Sequence, residues 1–174
     1  MYLISVYFDS ASAKRIQLLI NEVAARTGNH FMTENHVPPH LTISAVEARS
    51  ADILVPFVKG LEGNLGKGKV QIVSTGLLLP YVIYVTPVLN AYLHELSAQV
   101  YDAVSGIPET TINKYYMPWS WLPHVTIGKT LSREQMQEAF LVVQNKFSVF
   151  KACVTEIGLA KTNPHEDVLR FSLV

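Results

Sequence analysis

Leu122-Pro123-His124-Val125-Thr126-Ile127-Gly128 repeats a pattern already written at Pro38-Pro39-His40-Leu41-Thr42-Ile43-Ser44: proline, histidine, apolar residue, threonine, isoleucine, small residue. Side chains alternate faces along an extended strand. His40 and Thr42 therefore share one face while Leu41 and Ile43 share the other, and His124 and Thr126 repeat this against Val125 and Ile127. Each copy offers one imidazole and one hydroxyl to a common side. The proline before each histidine has a fixed φ and no N–H, which suits the first residue of a strand. Both histidines are expected at a sheet rim.

Outward from the motifs, residues 2–8 alternate and carry β-branched or aromatic side chains, as a strand does. Asp9-Ser10 caps a helix whose Ile16, Leu19, Ile20, Val23 and Ala24 fall on one buried face, with Gly28 at its C-terminal stop. Residues 29–39 read as a polar loop into the first histidine strand, which runs to about Val46. A short helix is expected within 50–61, interrupted or begun at Pro56, and a strand over 70–79 before Pro80. Residues 81–86 form the next strand. Pro87 then marks a helix start, with Leu89, Leu93, Leu96 and Val100 as its apolar stripe. A long loop spans 107–123 before the second histidine strand. Ser132 and Gln135 have capping-box spacing, opening a helix that turns Met136, Ala139, Phe140 and Val143 inward. Residues 150–160 and 168–174 finish as strands about a turn at Thr162-Asn163-Pro164.

The two halves share an order of strand, helix, loop, histidine strand, helix, strand. Tyr2 lies 38 positions before His40 and Tyr81 lies 43 before His124. The repeat predicts a single domain of two pseudo-symmetric lobes, about 1–80 and 81–174, in which a two-fold axis sets the motif faces across one cleft.

Composition narrows the function classes. Apolar residues make up 49% of the 174, ample for a packed core. Fourteen Lys and Arg balance fourteen Asp and Glu with no run of one sign, which speaks against long nucleic acid held mainly through its phosphates. A small or terminal phosphate ligand remains open. The lone Cys153 makes no internal disulfide, and the apolar opening is stopped by Asp9 with no basic region before it, so the cytoplasm is the expected compartment. No apolar run approaches the roughly 20 residues of a membrane span.

A histidine titrates at about pH 6.5, so two of them can divide the work of removing and donating a proton near neutrality. Two threonine hydroxyls can bond the non-bridging oxygens of an anion between them. That layout fits phosphodiester cleavage. Metal ligation by the histidines is the competing use, but no Cys cluster or H-E-x-x-H helix supplies the third and fourth ligands, and neither metal nor cofactor is expected. The tetrads His40-Leu41-Thr42-Ile43 and His124-Val125-Thr126-Ile127 resemble the paired H-x-T-apolar motifs of the 2H phosphoesterase superfamily, which includes the LigT-like 2′-5′ RNA ligases and cyclic phosphodiesterases. The resemblance covers the whole chain in element order. It implies a duplicated bilobal α+β fold, with two antiparallel sheets around a central cleft and helices outside. It implies His40 and His124 as acid and base, Thr42 and Thr126 as phosphate ligands, and a 2′,3′-cyclic phosphate, a 2′-5′ linkage or a related nucleotide phosphodiester as substrate, with RNA end sealing as a reverse reaction. The alternative is a non-catalytic module that binds a nucleotide or RNA end in the same cleft. A monomer is expected.

Tyr115 and Trp119, in the aromatic loop leading to His124, are candidates for stacking on a base; Trp121 reads as core cover. His36 is a loop residue within reach of the motif, while His94 and His165 read as surface residues. Arg49 and Lys129 follow the histidine strands closely, but alternation turns Lys129 away from the His124 face.

Overall fold

The computed structural model describes residues 1–162 and 164–174. Its first strand, β1 (Tyr2–Phe8), is followed by helix α1 (Ser10–Thr27). Asp9 holds the helix start: its carboxylate accepts from the backbone of Ala11 and Ser12 and from the Ser12 hydroxyl at 2.6 Å. Its second oxygen accepts from the Cys153 N–H at 3.0 Å, tying the cap to a strand far along the chain. These bonds, the Ser12 hydroxyl first, hold the carboxyl below its usual range. Asp9→Ala is expected to destabilise the fold by about 1–2 kcal/mol, the cost of losing a good N-cap, measured as a shift in the urea midpoint. Ile16, Leu19, Ile20, Val23 and Ala24 are all buried, and Gly28 ends the helix at φ 68° with its N–H on the Ala24 carbonyl. That left-handed conformation is the reason for glycine there.

The expected polar loop contains one helical turn, α2 (Phe31–Glu34), before β2 (His40–Glu47). The proline-containing segment forms a 3₁₀ turn at Ala51–Ile53 and a short helix, α3 (Val55–Lys59), with Pro56 in the first turn, where its missing N–H costs nothing. β3 (Gly68–Leu78) and β4 (Val82–Pro87) form a hairpin. Pro87 ends β4 and does not start a helix; α4 (Ala91–Val104) begins after Asn90, whose side chain accepts from the Leu93 N–H, and Leu89 is left exposed. β5 (Thr111–Ile112) and a 3₁₀ turn at Lys114–Tyr116 interrupt the long loop before β6 (Val125–Gly128). Helix α5 (Arg133–Lys146) carries the expected capping box. It buries Met136, Ala139, Val142 and Val143, while Phe140 is exposed, because the buried stripe continues through Val142. β7 (Phe150–Lys161) and β8 (Glu166–Ser172) complete the chain. The turn expected at Thr162-Asn163-Pro164 includes Asn163, which lies outside the described residues.

All strand pairs are antiparallel, and the α+β architecture is the one expected. The two sheets are fused. β7 is long enough to pair with β3 through its first residues and with β1 and β8 through the rest, giving one eight-stranded ladder in the order β5-β2-β1-β7-β3-β4-β6, with β8 beside β7. Strands also cross the boundary near residue 80. β3 pairs with β4 and β7 of the second half, and β7 pairs with β1 of the first. The helices cross too: α1 packs on α5 and β6, and α4 on β2. The arms of the sheet are thus built from both halves of the chain. Leu41, Ile43, Val125 and Ile127 join the core, as alternation predicts. Although β2 and β6 lie towards opposite ends of the ladder, the sheet curves until they approach each other, and the Trp121 indole N–H donates to the Thr42 carbonyl across the gap at 3.1 Å.

Candidate active site

The approach of β2 and β6 encloses a cleft of about 430 Å³ lined by His40, Thr42, His124 and Thr126 together. The strand alternation that buries Leu41 and Val125 turns these four side chains to the open side. The two histidines are held identically. His40 Nδ1–H donates to the Pro38 carbonyl at 2.7 Å, and His124 Nδ1–H to the Leu122 carbonyl at 2.9 Å, each acceptor two residues back. A carbonyl only accepts, so each ring in its neutral form carries its proton on Nδ1 and leaves Nε2 as the unprotonated nitrogen. The local sequence favours this arrangement. Pro39 and Pro123 restrict the residue before them to extended backbone, a conformation in keeping with the way those two carbonyls meet the rings.

Burial lowers the pKa of both rings. His40 is pushed down to about 4, mainly by desolvation, with His165, His124 and Lys129 adding repulsion against the bond to Pro38. His124 is lowered for the same main reason. Both are therefore neutral in the resting site at pH 7. For His40, the unfolded chain takes up its proton near 6.5 and the folded one only near 4, so its contribution to stability is complete above 6.5 and lost as pH falls towards 4. Each imidazole lies near a tyrosine from the neighbouring strand: Tyr7 at 6.4 Å from His40 and Tyr84 at 5.2 Å from His124, between ring centroids. Thr42 is buried with its hydroxyl 3.3 Å from that of Ser5, while Thr126 is half-buried.

The remaining wall is largely apolar, with Leu3, Met32, Val37, Leu78 and Val82 beside two aromatic rings, Phe31 and Tyr116. Tyr115 and Trp119 do not line it: they are 67% and 76% exposed, and Trp119 meets Tyr101 edge-on. The 3₁₀ turn at Lys114–Tyr116 turns Tyr116 inward in place of its neighbour. Lys129 does reach the cleft, its Nζ 5.5 Å from the Phe31 ring centroid. β6 ends at Gly128, so strand alternation no longer governs the next residue. His165 also lines the cleft, stacked on His40 at 6.2 Å with the rings 27° apart, and is not the surface residue expected from its turn. His36, Arg49 and His94 are exposed and outside the lining. Among the described residues no group of three or more His, Cys, Asp or Glu side chains is gathered to hold a metal. No described helix is long and apolar enough to cross a membrane.

Two H-x-T-x segments facing across one cleft of a fused antiparallel sheet define the architecture of a 2H-type phosphoesterase. The chain belongs to the 2′-5′ RNA ligase superfamily, whose family model matches residues 8–166. Solved structures share its fold end to end. A protein described as a phosphoesterase superposes with a TM-score of 0.65 at 14% identity, over 99% of this chain and 98% of its own. TT0787 of Thermus thermophilus gives 0.63 at 14% identity, over 99% and 97%. LigT of E. coli, complexed with 3′-AMP, gives 0.62 at 15%, over 99% and 97%. At such identities the likeness is one of fold. No curated protein matches the chain by sequence.

Proposed function

We propose that the protein is a metal-independent phosphodiesterase acting on a small or terminal nucleotide phosphodiester, either a 2′,3′-cyclic phosphate or a 2′-5′ linkage. The observation that carries this reading is the matched pair of histidines across one cleft, each with Nδ1 tied back to its own strand and Nε2 left for proton exchange. One neutral imidazole takes a proton from water as the water oxygen bonds to phosphorus. The other, as imidazolium, gives its proton to the ribose oxygen as the second P–O bond breaks. With an RNA 5′-hydroxyl in place of water, the same base and acid would open a 2′,3′-cyclic phosphate end, bonding the 5′ oxygen to phosphorus as the 3′ oxygen leaves with the proton, and so seal the end through a 2′-5′ linkage. Thr42 and Thr126 donate to the non-bridging oxygens; a Ser5 hydroxyl donating to Thr42 frees the Thr42 proton for that bond. Phe31 and Tyr116 offer the flat apolar faces a base requires. The solved complex of LigT, which shares this fold, with 3′-AMP supports a nucleotide as the ligand. One lysine and no arginine among the described lining residues suit a small substrate better than a long polyanion. We place the protein in the cytoplasm as a monomer.

The test is hydrolysis of the four nucleoside 2′,3′-cyclic phosphates and a 2′-5′ dinucleotide in excess EDTA. Turnover should resist chelation; loss of activity on chelation would exclude the mechanism, and binding without turnover would favour a non-catalytic nucleotide-binding module. The pH profile carries a second expectation. kcat/KM reports the free enzyme, which needs one histidine neutral and one protonated. With both values below 6.5, the profile should peak on the acid side of 6.5 and fall towards neutrality. A maximum in the alkaline range would contradict the assignment of the two groups.

A further inference from the structure

We propose that His165, backed by Asp167, is a third histidine contact for the substrate phosphate, on the His40 side of the cleft. The inference rests on the functional reading above and adds to it a residue outside both motifs. Four observations point to it. His165 lines the same cleft as the motif residues and stacks on His40 at 6.2 Å. Its ring is well covered, with 15% of the side chain exposed, so it is held in place. Its Nε2 is buried without a hydrogen-bond partner and lies 3.3 Å from an Asp167 carboxylate oxygen. That distance makes an ion pair once the ring is charged. Asp167 in turn is anchored, accepting from the Tyr7 hydroxyl at 3.5 Å with Arg170 Nη1 at 3.9 Å.

Charge balance gives the pair its use. An anionic phosphodiester must meet positive charge, yet burial keeps His40 neutral down to about pH 4 and lowers His124 as well. Among the other described residues lining the cleft, Lys129 is the one permanent cation, and no described carboxylate is part of the lining. His165 is a further group able to become positive, and in that form it has its own counter-ion, Asp167, beside it. The charged and titratable groups around it are His40 on β2, Tyr7 on β1, Asp167 and Arg170 on β8, and Glu156 on β7. Arg170 is already committed: it pairs with Glu156 and lies over the Tyr7 ring, 3.7 Å from its centroid. It therefore anchors the wall behind His165 and does not compete for the phosphate.

The experiment is calorimetric binding of inorganic sulfate, whose charge is constant over the range, to wild type and to His165→Asn at pH 5.5 and 8.5. Wild type should bind at least about 5-fold more tightly than the variant at pH 5.5, and within about 2-fold at pH 8.5. His165→Lys, charged at both pH values, should bind at pH 8.5 at least as tightly as wild type, and it serves as the test should the asparagine variant fail to fold. Equal binding by wild type and His165→Asn at pH 5.5, an equal loss at both pH values, or no sulfate binding by wild type would overturn the proposal. Turnover is measured separately: a protein that binds sulfate through His165 yet hydrolyses no phosphodiester would retire the enzymatic reading and keep this one.

Discussion

Alanine at His40 or at His124 should lower kcat for a reactive 2′,3′-cyclic nucleotide by about 10³-fold, within the range that a positioned general acid or base contributes. Each ring is half-buried at the mouth of its strand and bonded through Nδ1 to its own backbone, so truncation removes the proton-exchanging nitrogen without opening the core. Stability at pH 7 and product binding should change little. On the proposed mechanism the two groups act in one step, so the double variant should be scarcely slower than either single one. The measurement is single-turnover hydrolysis by both variants and the double variant. Residual activity within 10-fold of wild type in either single variant would remove that histidine from the mechanism.

Trp121→Ala is expected to have the largest effect on stability, about 3–5 kcal/mol by the usual cost of deleting a buried aromatic. Trp121 is 5% exposed in the main core, and its indole N–H is bonded to the Thr42 carbonyl. It thus joins the segment leading into β6 to the middle of β2, the two strands that carry the site. Trp121→Phe keeps most of the ring but strips Thr42 of its donor, at a cost of about 1–3 kcal/mol for a buried acceptor left without a partner. Urea unfolding of both variants gives the stabilities. The phenylalanine variant should also lose kcat, since Thr42 is no longer held from the far side of the cleft; unchanged kcat would show that this bond serves folding alone.

Much of the frame could be read from residue patterns because it depends on local rules. The stripe from Ile16 to Ala24, the Gly28 stop and the Ser132-Gln135 capping box each involve neighbours within a few positions, and each is present. The readings that missed needed distant partners or the end of a regular element. Phe140 is outside because α5 rests on α1 and β4 along a stripe that includes Val142. Pro87 closes a strand because β3 is there to pair with it. Lys129 enters the cleft because alternation ends with β6.

The sequence by itself determined that a histidine and a threonine recur, two residues apart, at the start of each of two strands, since alternation and the prolines are properties of the local chain. Only the tertiary structure decided which other groups join them. Tyr116 replaces Tyr115 and Trp119 through one 3₁₀ turn, and His165 meets His40 across 125 positions because β8 pairs with β7, which itself lies beside β1. Such meetings follow from how the sheet closes on itself, and no periodicity in a chain records which distant strand will lie alongside.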